Sequence, residues 1–263
     1  MMTGALADVA FGTDPGRWPL PPATTPEELW WRAVAAGGQG RYGSAATDLA
    51  VLIRRGDRLS ALACATLGSF RRQQGWHERA SRWDGRAFAQ SGGDVEAGVD
   101  ALVGLAADAL GVGRLARSAA LLDRAQRLHD SADGAPARLA VRLAWVRAEL
   151  AMAADGGESA VSHARLAVEL TSRVAPALRR HAVKSEVVLA AALASAGDVA
   201  AAREVADAAA SAAGASGLVP LRWALACLLG SIGSGVHSPA EVDRIRLSDA
   251  AFVTRHGGRW NSR

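Results

Sequence analysis

The chain has 263 residues, of which half are hydrophobic but only 5% aromatic, so its apolar excess lies in alanine, leucine and valine. Alanine is the best helix former and a poor strand former, which points to an all-α protein. A net charge of +4 is small for a nucleic-acid binder, and two distant cysteines, Cys64 and Cys227, argue against a disulfide scaffold and for a reducing compartment.

Arginine supplies nearly all the basic charge, because Lys184 is the only lysine. This raises the isoelectric point to about 10.0 without a large charge excess. No apolar run approaches the ~20 residues that span a bilayer. The N-terminus lacks the charged start and long apolar stretch of a signal peptide, so a cytoplasmic location is expected.

Residues 1–24 are rich in Gly, Pro and Thr and read as a poorly ordered lead-in, with Trp18 tucked onto the body. A helix start follows at Thr25, Pro26 and Glu28, a capping box with proline at the first helical position. The same signature returns at Ser238, Pro239 and Glu241. Between them, helical stretches alternate with short glycine-containing breaks such as GGQGRYG, QQGW, GVGR, AADGGE and SAGD, and with one proline break, RVAP. No segment sustains the two-residue alternation of a strand, so about a dozen helices and no sheet are expected. Residues 25–257 read as one helical repeat domain and 258–263 as a C-terminal tail.

The stretch LGSFRRQQGWHERASRWDGRA, residues 67–87, places Leu67–Gly68, Gly75, Ala80 and Ala87 at intervals that suit two antiparallel helices. Small residues at Gly68 and Ala80 let the helices approach, and Leu67 fills the groove beside them. This pattern resembles the tetratricopeptide repeat. It recurs at Gly40, Tyr42 and Ala45, at Gly113, Leu115, Ser118 and Ala125, and at Gly197, Val199, Ala202 and Ala209. With Gly157 taken as the fourth turn, the match between 126 and 180 is weak. The resemblance implies a right-handed superhelical α-solenoid of helix pairs, with longer units like those in large bacterial transcription regulators. It also implies a concave groove lined by the first helix of each pair, which binds a partner helix or extended segment.

The family's groove positions fall here on Leu62, Ala65, Ser69, Arg72 and Gln73, then Asp100, Val103 and Ala107, and then Lys184, Val187 and Ala191. Arg72 is the expected anchor for an acidic group. A second candidate surface is aromatic and basic, formed by Trp76, Arg79 and Trp83. No HExxH, GxxxxGK[ST] or GxSxG motif occurs, and the six histidines show no metal-ligand spacing. The chain is therefore expected to be a non-enzymatic protein-binding module, suited to a regulatory role, without metal or cofactor. Two other readings stay open. One is a nucleic-acid-associated regulator using the arginines between Arg54 and Arg86. The other is a sensor with a small ligand between its helices.

Overall fold

The computed structural model describes residues 4–174 and 178–261. Those residues form thirteen helices and no strand. They are α1 (Ala5–Phe11), α2 (Pro26–Gly38), α3 (Tyr42–Leu52), α4 (Arg58–Gln73), α5 (His77–Gln90), α6 (Val95–Gly111) and α7 (Leu115–Asp130). They continue as α8 (Arg138–Ala153), α9 (Gly157–Ser172), α10 (Arg179–Ser195), α11 (Val199–Ala215), α12 (Val219–Ile232) and α13 (Pro239–Arg255). Both capping boxes form: Thr25 and Ser238 accept from the backbone N–H three residues on, and Glu28 and Glu241 reach back. Pro176, on which the RVAP break rests, lies outside the described residues. No helix among the described residues is long and apolar enough to cross a membrane.

From α2 onward, consecutive helices pack in antiparallel pairs. Five turns within pairs share one geometry. Gly40, Gly75, Gly113, Asp155 and Gly197 adopt positive φ. The next residue then donates its N–H five positions back: Arg41 to Ala36, Trp76 to Arg71, Arg114 to Ala109, Gly156 to Ala151 and Asp198 to Leu193, at 2.8–3.0 Å. This is the Schellman ending, which satisfies carbonyls that the helix leaves unpaired. Four of the five positions hold glycine, for which the left-handed region carries no Cβ penalty. The fourth turn pivots on Asp155 at φ 57°, two residues before the Gly157 taken from the sequence pattern.

Alanine at the crossings sets the close approach. Ala45, Ala80, Ala125, Ala160 and Ala202 are fully buried on the second helices. Gly68 is buried too, but it faces a different neighbour from the one expected. A Cβ there would lie 2.7 Å from an Asp84 carboxylate oxygen, so its space is occupied by a buried acid. The first helices α2, α4, α6, α8, α10 and α12 also pack on one another in succession, whereas successive second helices do not do so to a comparable extent. The first helices thus form the crowded inner layer of a curved array.

Both ends pack on the body in their described parts. Within residues 4–24 of the lead-in, α1 buries Leu6, Val9 and Phe11, and Phe11 lies 5.4 Å from the Trp30 ring. Apolar residues in that segment have a place in the core, which offsets the ordering cost. This segment also reaches α10, where the Arg179 N–H donates to Gly12 O at 3.1 Å. Trp18 does sit on the body, with the Arg41 guanidinium 3.8 Å above its ring, but it stays 45% exposed. The C-terminal segment is docked as well. Gly43 N–H donates to His256 O at 2.7 Å and Asn261 N–H to Gln74 O at 2.8 Å. The array is therefore closed, with its last residues seated on its early helices α3 and α4.

Candidate functional site

The inner layer lines a partly open cavity of about 480 Å³. Its walls come from one face each of α4, α6, α8, α10 and α12, with Gly38 at the end of α2 and Trp260 from the C-terminal segment. Val103, Leu110, Val146, Val187 and Leu221 make an apolar lining, and Trp145, Trp223 and Trp260 add aromatic surface. Trp145 is fixed on two sides: its Nε1–H donates to Ser185 Oγ at 2.8 Å, and its ring stacks on His181 at 5.3 Å. Trp223 and Trp260 lie 4.2 Å apart. Trp260 is held by its own strap, in which the Trp76 Nε1–H donates to Arg259 O at 2.6 Å and Arg259 N–H to Gln74 Oε1 at 2.6 Å. A smaller void of about 30 Å³ adjoins this cavity toward Phe11 and Trp30, and shares Ser69, Arg142, Arg180 and His181 with it.

The charges around the chamber are unevenly paired. Arg72 bonds to Asp84 and, at 2.9 Å, to Asp108, both deeply buried. Gly68 and Gly104 make room for Asp84, since a Cβ at Gly104 would approach its carboxylate to 2.4 Å. Burial pushes the Asp84 carboxyl well above the usual range; Arg72 opposes that and the neighbouring Asp108 reinforces it. Arg138 bonds to Asp100 at 2.7 Å and to Glu96 at 2.6 Å, and Arg142 approaches the same Asp100 at 3.1 Å. Burial works to raise the Asp100 carboxyl, but the two arginines together hold it below its ordinary value. Lys184 has Glu149 at 3.4 Å.

Arg180 has no such counterion. No carboxylate among the described residues lies within 4.0 Å of it, and its Nε is buried without a hydrogen-bond partner. Burial, and then Arg142 and Arg138, pull its pKa down to about 10, so it remains charged at neutral pH. Its stem runs across Gly38, where a Cβ would meet the Arg180 Cδ at 3.0 Å. His181 beside it is 3% exposed, with Nδ1 unpartnered. Burial and the Arg180, Arg138 and Arg142 charges hold it far below the ordinary histidine range, so it is neutral.

Of the groove residues expected from the sequence, Ser69, Arg72, Gln73, Val103, Ala107, Lys184 and Val187 line this chamber. Leu62 does not: it is fully buried in the core with Trp30 and Leu49. Asp100 sits behind the wall as the acid shared by Arg138 and Arg142. Arg72 is not a free anchor, because two buried carboxylates already hold its guanidinium. The aromatic-basic surface is divided. Trp76 precedes α5, with Arg79 4.2 Å over its ring, and binds the C-terminal strap, whereas Trp83 packs beside Cys64 and Ala87.

Arg142, Trp145, Arg180, His181, Trp223 and Trp260 do not stand out in the sequence. A signal for part of this set exists there. Counting back from each turn residue, the positions of Asp100 and Val103 before Gly113 and of Lys184 and Val187 before Gly197 correspond to Arg142 and Trp145 before Asp155. Taking Gly157 as the turn displaces that register by two residues. No family model matches this chain, and no curated protein matches it.

Proposed function

We propose that the protein is a non-enzymatic binding module that takes a small ligand into the chamber at the centre of a tetratricopeptide-like, right-handed superhelix. The repeated Schellman turns and the crowded inner layer of first helices support the tetratricopeptide-like reading. The size and lining of the cavity carry the functional one. About 480 Å³, mostly apolar and aromatic with a few charged groups, falls among small-molecule sites, which span roughly 300–1,000 Å³. A partner helix, about 10–12 Å across with its side chains, needs an open groove. Here the C-terminal strap brings Trp260 into the chamber wall beside Trp223. The free cysteines, one buried and one half-buried, fit a reducing compartment such as the cytoplasm.

The nucleic-acid alternative has less support. Within the arginine-rich stretch, Arg72 is internal, Arg58 is engaged by Glu27, Asp94 and Glu96, and Arg55 by Asp57. The alternative rests on Arg54, Arg71, Arg79, Arg82 and Arg86, which form no ion pair among the described residues.

Phenylnaphthylamine, a neutral apolar fluorophore, tests the reading. It should bind with saturable one-to-one stoichiometry and receive energy from the lining tryptophans. Ala224→Trp, which projects a large ring into the chamber, should weaken it by about tenfold or more while the fold is retained. Equal binding by this variant would move the site elsewhere.

A further inference from the structure

We infer that the chamber's ligand is a small amphipathic acid, its carboxylate held by Arg180 and Arg142 and its apolar body lying along Val103, Val187 and Trp145. This rests on the small-ligand reading above and adds the chemical class.

The inference begins from Arg180. A half-buried guanidinium whose Nε is fully buried and which has no counterion is costly, and here two further arginines stand nearby. The fold nevertheless keeps Arg180 at the wall of a cavity. It also keeps glycine at position 38, where a side chain would press on the arginine stem. Every other cationic side chain of the wall has an acid: Arg72 has two, Lys184 has Glu149, and Arg142 has a share in Asp100. The shortage is therefore local: it falls on Arg180, which has no acid within 4.0 Å, and on Arg142, which shares Asp100 with Arg138 and whose Nε lies 3.1 Å from Asp100 Oδ1 without making a hydrogen bond. The His181 Nδ1 is a further unpartnered buried polar atom in the same wall. A monoanion fits that shortage. A carboxylate fits its shape, because two coplanar oxygens match the guanidinium fork. Beyond these groups the lining is largely apolar, with Ser69, Gln73 and His77 as its other polar members, so an inorganic anion alone would leave most of the chamber without contact.

Competition against bound phenylnaphthylamine tests this with octanoate, octanol and inorganic phosphate. Octanol is the more hydrophobic of the two chains, so any preference for octanoate reports charge. Octanoate is expected to compete at least about tenfold better than octanol, the scale of one hydrogen-bonded charge pair. Phosphate is expected not to compete. Arg180→Gln should abolish the preference, leave octanol within about twofold, and preserve or raise the melting temperature, since it removes an unpaired charge. The wild-type preference needs no variant, and Arg180→Met offers a second test should the glutamine variant fail to fold.

Equal competition by octanoate and octanol would overturn the inference while leaving the chamber reading intact. A preference that survives in Arg180→Gln would overturn the placement at Arg180. Phosphate competing as well as octanoate would overturn the need for an apolar body. No saturable binding of either phenylnaphthylamine or octanoate would overturn the chamber reading itself.

Discussion

His181 shows how a polar side chain can be both core and site. Its ring completes a stack with Trp145 and lies 6.1 Å from Phe11, so it packs as an aromatic residue. Its neutral state depends on burial and on three neighbouring arginines. The folded pKa is therefore depressed below the ordinary value of 6.5 that the unfolded chain restores. At pH above that value both states are neutral and His181 adds no pH dependence. As pH falls below it, the unfolded state takes up a proton that the folded state refuses, and stability drops. The limiting slope for one proton is about 1.4 kcal/mol per pH unit. His181→Phe should match or exceed the wild type in urea unfolding at about pH 8, where neither state carries the proton. Between about pH 6.5 and 5 it should lose less stability than the wild type, by about 1 kcal/mol or more. Parallel pH profiles for the two proteins would mean that His181 is protonated in place, with a partner or water at Nδ1.

At the scale of elements, the two capping-box helix starts, the helix–break alternation and four of the five turns are legible in the sequence, because each has a local chemical cause, whereas α1 is not. A capping box needs four residues, and a Schellman turn needs one residue tolerant of positive φ. The fifth turn escapes such a reading because Asp155, which resembles any polar loop residue, takes the left-handed position beside two glycines that do not. Aspartate tolerates that region better than most residues, but glycine is better still. This yields an opposed pair of outcomes. At Gly113 a Cβ would meet nothing within 4 Å, so Gly113→Ala tests backbone strain alone and should cost ~1–2 kcal/mol. Asp155→Gly relieves strain but loosens the unfolded chain, so it should fall within about 0.5 kcal/mol of the wild type or above it. Denaturant midpoints at constant m-value decide both. A large loss in Asp155→Gly would show that its carboxylate, rather than its backbone, holds the turn.

At the scale of the molecule, closure is not legible in the sequence, because nothing local announces it. The strap bonds join residues 183–186 positions apart. The Gly, Pro and Thr content on which the lead-in reads as loose is the same that lets its described part, residues 4–24, follow a curved surface. The two ends also have different roles. The N-terminal segment runs from α2 to α10 along the deeper void, whereas the C-terminal strap contributes a wall of the chamber itself. Trp260→Ala should therefore act on both stability and binding. Loss of a partly buried indole packed on Trp223 should cost ~1–3 kcal/mol, less than for a fully buried tryptophan. Removal of the wall should speed phenylnaphthylamine dissociation more than it slows association, since weakening a bound state shows chiefly in the off-rate. Trp76→Phe is the matched control: it deletes the hydrogen bond to Arg259 O and shrinks the ring beneath Arg79, both outside the chamber, and should cost about 1 kcal/mol or slightly more with little direct change in the wall. Stopped-flow release from the two variants, compared at equal folded fraction, separates the roles. Faster release from Trp260→Ala alone would identify the indole as part of the binding wall. Equal acceleration in both would mean that the strap works as a unit, and that ligand exchange follows its detachment from α4 and α5.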